Sequence, residues 1–159
     1  MAPTIRLYRP EDRAAGEWVF YRAVREGAAA HYSKVQRAAW APRSEPDLDK
    51  PDHLLDQWCY VAEEDGRITG YISMDQTGYL DEVFVIPEVM GNGTAASLYD
   101  AVMARAKEAG LTRFTAAAAY QSRQFLTRRG WQVDHMKTVT RGGIRFTEAQ
   151  MFLDLSHDL

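Results

Sequence analysis

Two glycines one residue apart, Gly91 and Gly93, separate an apolar run ending in Val83-Phe84-Val85-Ile86-Pro87 from a segment that reads as a helix. Glycine permits backbone angles closed to other residues and lets the main chain approach a ligand closely. The first N–H groups of a helix lack internal partners and carry about half a positive charge. Together these features suit a phosphate or pyrophosphate. A tight turn with no ligand is the plainer alternative for two glycines. The unit is not a dinucleotide fingerprint, because Ala96 holds the place of the third glycine. Nor is it a P-loop, since no Gly-Lys-Ser/Thr follows.

The strand before this loop carries carboxylates. Strict alternation puts Tyr79, Asp81, Val83 and Val85 on one face and Leu80, Glu82, Phe84 and Ile86 on the other. A carboxylate among neighbours such as Leu80 and Val83 holds its proton more tightly and can serve as a base near neutral pH. A solvated strand-end charge is the alternative for either acid. His31, His53, His135 and His157 show no metal-ligand spacing, and no serine or cysteine triad is apparent. Cys59 is the only cysteine, which excludes an internal disulfide and a cysteine zinc cluster. No metal is expected.

The elements that must position these groups follow from periodicity and turn chemistry. Thr4–Tyr8 alternates as a strand, and Pro10-Glu11-Asp12 opens a helix running to about Ala28. A second helix follows Ser33, with Val35, Ala38 and Ala39 inward. Residues 41–51, with three prolines, form a connection, and 52–56 a short turn. Strands over 58–62, 68–73 and 79–86 form a meander turned at Asp65-Gly66. Ala95, Leu98, Val102 and Ala106 form the stripe of a helix stopped by Gly110. A strand over 111–117, a helix over 122–129 and a hairpin over 131–140 and 146–155 complete the chain; on the last strand Glu148, Gln150 and Asp154 form a polar face. The order β-α-α-β-β-β-α-β-α-β-β is a mixed α/β sheet with helices on both sides.

A chain of 159 residues with 26% charged residues suits one domain over 1–159. A net charge of −3 argues against nonspecific nucleic-acid binding. No stretch approaches the roughly 18 apolar residues that span a bilayer. The opening residues lack an apolar core and cleavage site, so no membrane association or secretion is expected and the cytoplasm is the default compartment.

The strand–loop–helix unit resembles motif A of the GNAT acyltransferase superfamily, V-x-P-x-x-Gln/Arg-x-x-Gly-x-Gly/Ala followed by a leucine. Val85, Pro87, Gly93, Ala95 and Leu98 fall on that pattern. The element order matches over nearly the whole chain, and Phe125-Leu126-Thr127-Arg128-Arg129-Gly130-Trp131 resembles the family's F-Y-x-x-x-G-F segment. His31-Tyr32-Ser33 and Trp40 are similar to a bacterial subgroup of unassigned substrate.

The resemblance implies acetyl-CoA as donor. Backbone N–H groups of Gly91, Asn92, Gly93, Thr94, Ala95 and Ala96 would hold the pyrophosphate, and the main chain of Phe84, Val85 and Ile86 the pantetheine arm. It implies an acidic base early in the strand, Asp81 first and Glu82 second, and an acceptor pocket near His31, Tyr32 and Tyr79. Two positions depart from the pattern. Met90 replaces the usual Gln/Arg, and Leu126 replaces the tyrosine that protonates the thiolate, leaving Tyr120 as a substitute if the chain bends it toward the sulfur. The expected activity is acetyl transfer to a primary amine of a small molecule or peptide by direct attack in a ternary complex. A module that binds acyl-CoA without turnover, and an unrelated nucleotide-phosphate binder, are the alternatives. Arg128 and Arg129 read as a solvated helix end more readily than as a phosphate clamp. The sequence carries no signal for oligomeric state, although domains of this family often form homodimers.

Overall fold

The computed structural model of the chain describes residues 2–156; His157 lies outside them. Among the described residues, β1 (Thr4–Leu7), β2 (Trp58–Glu64), β3 (Arg67–Met74), β4 (Tyr79–Val85), β5 (Arg113–Ala118), β6 (Gln132–Arg141) and β7 (Ile144–Asp154) form one sheet. Their order is β1-β2-β3-β4-β5-β7-β6. Every pairing is antiparallel except β4 with β5. That parallel pair is short: Tyr79 faces Thr115 and Leu80 faces Ala116, and no further register pairs follow. Beyond Leu80 the sheet splits, with β4 held by β3 and β5 held by β7.

A β-bulge at the start of the split sets which way β4 aims its side chains. Ser73 pairs with Glu82 but Met74 pairs with Leu80, so Asp81 is the extra residue. A bulged residue re-aims its side chain and shifts the alternation behind it. Leu80 therefore packs with Val83 and Val85 against Leu98 and Val102, and does not share a face with Glu82 and Phe84 as unbroken alternation requires.

The helices cover both faces. On one, α3 (Thr94–Glu108) buries Leu98, Tyr99, Val102, Met103 and Ala106 against Ile72, Phe114, Trp131 and Met151. Buried Trp131 donates its indole N–H to the Tyr99 hydroxyl at 2.8 Å, which satisfies both polar groups in this apolar layer. On the other face α1 (Arg13–Arg22) sets Val19 against Val61, Tyr71 and Ile86. The first helical stretch is not one α-helix to Ala28: a 3-10 turn, Pro10–Asp12, precedes α1 and a π-helical segment, Ala23–Gly27, follows it. α2 (Lys34–Trp40) begins at Ser33, whose Oγ accepts from Gln36 N–H at 3.0 Å while Gln36 Oε1 accepts from Ser33 N–H at 3.0 Å. Val35, expected inward, is exposed. Residues 120–127 form α4 (Tyr120–Thr127), one half-turn earlier than periodicity places it. On β7, Glu148 is buried and bound by Arg141 at 2.7 Å, so the expected polar face is covered there.

Candidate active site

The split between β4 and β5 opens into a groove on one side and a cavity on the other. The groove, about 430 Å³, runs from Val83, Phe84 and Val85 past the glycine loop to Phe125 on α4 and Arg128 at its C-terminal cap. Gly93 is the residue that caps α3, at φ 93, and Gly91 sits at φ 79. Both are left-handed conformations that favour glycine. A Cβ built at either would meet no atom within 4 Å, so the main chain faces open space. Asn92 Oδ1 accepts from the Thr94 N–H at 3.0 Å and the Thr94 hydroxyl at 2.7 Å, and Asn92 N–H donates to the Val89 carbonyl at 3.3 Å. The Asn92 and Thr94 amides are thus engaged within the loop. Those of Gly91, Gly93, Ala95 and Ala96 have no protein partner among the described residues.

Two further expectations are narrowed by hydrogen bonding. Ile86 donates its N–H to the Thr69 carbonyl at 2.9 Å and accepts from Val89 N–H at 3.1 Å, so its main chain is committed; Phe84, two residues back and paired with Tyr71, turns its main chain the same way, which leaves Val85 facing the unpaired side of β4. Met90 lays its methyl group where a side chain at Gly27 would stand, and it lines the groove with an apolar surface. Arg128 and Arg129 both line the groove, and Arg129 stacks 3.6 Å over the Phe125 ring.

The cavity, about 560 Å³, is walled by aromatic rings and carboxylates, among them Phe20, Tyr71, Tyr79, Glu17, Asp81 and Glu82. Pro46, Asp47 and residues 50–54 line one side of it. Arg13 ties them down by donating to the Asp47 carbonyl at 3.0 Å and the Lys50 carbonyl at 2.8 Å, and Tyr8 donates its hydroxyl to Asp52 at 2.5 Å. Asp81 is half-buried and accepts from Gln57 Nε2 at 2.9 Å. Burial pushes its carboxyl above the usual range, Glu82 adds to the shift, and the Gln57 bond opposes it. Glu82 accepts from the Tyr71 hydroxyl at 2.8 Å and lies 2.6 Å from His53 Nε2. That bond raises the His53 pKa against the opposing effect of burial, and complete burial holds the Tyr71 phenol well above its ordinary value. Among the described residues Glu17 has no hydrogen-bond partner; burial and the nearby Glu82 push its pKa up.

Histidine spacing in the chain gave no ligand pattern, yet folding brings His53, Asp81 and Glu82 within 4.8 Å of one another. Sequence reasoning missed His53, Glu17 and Tyr71 because each lies on a different element from β4. Of the expected acceptor residues, Tyr79 lines the cavity while His31 and Tyr32 line neither space. His31 stacks on Tyr120 at 4.0 Å, and Tyr32 accepts the Tyr120 N–H at 2.9 Å. The Tyr120 hydroxyl accepts from Gln124 Nε2 at 2.9 Å, and the residue lines neither space. Trp40 is half-buried and stands where groove and cavity meet.

A mixed sheet split between two parallel strands, with a glycine-loop groove and a carboxylate-lined cavity meeting at the split, has the architecture of the acetyltransferases. The chain belongs to the GNAT family: the family model for the acetyltransferase (GNAT) domain matches residues 28–153. A GCN5-related N-acetyltransferase from Rhodopseudomonas palustris superposes with TM-score 0.90 at 26% identity, over 98% of this chain and 97% of that one. The PaiA N-acetyltransferase of Thermoplasma acidophilum, solved with coenzyme A, gives 0.75 at 19% identity, over 97% and 99%. YncA of Salmonella typhimurium, solved with acetyl-CoA, gives 0.67 at 23% identity, over 98% and 95%. No curated protein matches the chain. No helix among the described residues is long and apolar enough to cross a membrane.

Proposed function

We propose that residues 1–159 form a single acetyl-CoA-dependent N-acetyltransferase domain. Its acceptor is a primary amine of a small molecule or peptide, which attacks directly in a ternary complex. The observation that carries this reading is the junction itself: Val83 and Phe84 line both the groove and the cavity, so two reactants bound one on each side meet there. The loop fits a pyrophosphate, with four unpartnered amides, open space over both glycines and two arginines across the groove. Val85 offers main chain, and Phe84 its side chain, along the unpaired side of β4 to an extended pantetheine arm. The donor supplies an acetyl group activated as a thioester.

Asp81 takes the proton that the amine loses, directly or through a water. Its raised proton affinity matches that task better than a fully solvated carboxylate would. Glu82, already holding Tyr71 and His53, shapes the charge around it. The exposed edge strand β6 supports pairing of two copies into a homodimer, which light scattering would measure.

Free-thiol release from acetyl-CoA across a panel of amines tests the activity. Acceptor-dependent release is expected. Calorimetric binding of acetyl-CoA with no release for any amine would favour a non-catalytic acyl-CoA module, a reading that Leu126, buried and without a proton to give, keeps in play. Binding of nucleotide phosphates in preference to acetyl-CoA would sink both.

A further inference from the structure

The family's usual proton donor is missing here, and the fold shows what stands in its place. Four residues line both groove and cavity: Trp40, Val83, Phe84 and Ser122. An acetyl group handed from one side to the other breaks its bond to sulfur at this junction. Val83 and Phe84 have no proton to give. The Trp40 indole donates only, so it cannot be refilled on the same atom, whereas a hydroxyl donates and accepts.

Ser122 has the placement for the task. It lies four residues before Leu126 on α4, so the two share one helix face. Serine and threonine in helices commonly turn back onto the carbonyl four residues earlier. Thr127 does so, donating to the Arg123 carbonyl at 2.7 Å. Ser122 stands in the first turn of α4, where the residue four before it, Ala118, belongs to β5, and its half-buried hydroxyl has no side-chain hydrogen bond among the described residues. Tyr120, one turn-edge away, is turned to Gln124 and His31.

Building on the acetyltransferase reading, we propose that Ser122 is the catalytic residue on the sulfur side, donating its O–H to the departing thiolate. The amine nitrogen bonds to the acetyl carbon and the carbon–sulfur bond breaks, leaving its electron pair on sulfur. The amine's surplus proton goes to Asp81. Ser122 Oγ releases its proton to sulfur while receiving one from cavity water, so the serine ends as it began. Asp81 returns the amine's proton to water, and the net products are the N-acetyl amide and the free thiol.

Two measurements test this. In steady-state kinetics Ser122→Ala is expected to lower kcat by about 10²-fold, the low end for a positioned proton donor, with the calorimetric Kd for acetyl-CoA unchanged. Ser122→Thr, which keeps the hydroxyl, retains most of the rate. In a titration of enzyme-bound CoA, followed by thiolate ultraviolet absorbance against a desulfo-CoA blank, Ser122→Ala raises the thiol pKa by about one unit, the effect of losing one hydrogen bond to a charge. A purely structural serine would not move that titration. Wild-type kcat together with an unmoved thiol pKa in Ser122→Ala overturns the role of Ser122 while leaving the transferase standing. A wild type that binds CoA yet releases no thiol with any amine overturns the transferase reading and the role of Ser122 with it.

Discussion

The proposed donor groove is walled mainly by two continuous stretches of chain, residues 83–96 and 121–129, with Ala23, Val24, Ala28 and Trp40 completing it. The acceptor cavity gathers Tyr8, Glu17, His53, Tyr71, Asp81 and Glu82 from five separate segments. The groove presents main chain: amides of Gly91, Gly93, Ala95 and Ala96 and the open side of β4. The cavity presents side chains whose proton affinities are shifted by burial and by one another. Main-chain recognition tolerates changes of side chain, so Met90 can replace a polar residue while the loop keeps its amides. Side-chain recognition has no such tolerance, so on the proposed function the cavity is where specificity would reside.

Substitutions separate the two regions, and the largest effect belongs to the groove. Gly93→Val forces a β-branched residue into φ 93 and fills the space over the loop. Loss of two or more charge-assisted bonds is expected to weaken acetyl-CoA binding by about 10²-fold or more in calorimetry. Unchanged binding would mean that the loop does not hold the donor. The next effect belongs to the cavity. Asp81→Asn is expected to lower kcat by about 10²-fold with donor affinity intact. Because a base works deprotonated and burial raises this carboxyl, the acid limb of wild-type kcat/KM lies above the ordinary carboxylate pKa of about 4. The limb disappears in Asp81→Asn. Equal activity in that variant would remove Asp81 from the mechanism.

The smallest effect is on stability. Glu17 has a raised folded-state pKa, so the native state binds its proton more tightly than the unfolded chain does. Stability contributed by this group therefore falls as pH rises through the raised value, and the cost persists at neutral pH. Glu17→Gln is expected to raise the Tm by a few degrees at pH 7, with the gain vanishing below about pH 4, where the carboxyl is protonated in both states. A Tm unchanged at every pH would show that Glu17 is freely solvated.

Much of the groove was legible in the sequence because it is coded locally. Pro87, Gly91 and Gly93 announce a strand end, a turn and a helix start within a few residues, and the structure follows them. The β2–β3 hairpin was legible for the same reason, through the Asp65-Gly66 turn. The bulge at Asp81 was not: it depends on how β3 and β4 pair, and it inverted the face of Leu80. Nor was the cavity, since the 2.6 Å contact of His53 with Glu82 joins residues 29 positions apart. Ser122 carried no motif, and only the meeting of two cavities singles it out. Glu148 read as solvent-facing because Arg141, its partner, arrives from the neighbouring strand.

The central claim, that the loop amides hold the donor's diphosphate beside the split, is tested most directly by a crystal structure of the protein soaked with acetyl-CoA. Diphosphate oxygens within hydrogen-bond distance of the Gly91, Gly93, Ala95 or Ala96 N–H groups, with the thioester at the junction of Val83 and Ser122, are the expected result. A donor bound elsewhere, or a loop whose amides stay turned away from it at full occupancy, would contradict the account.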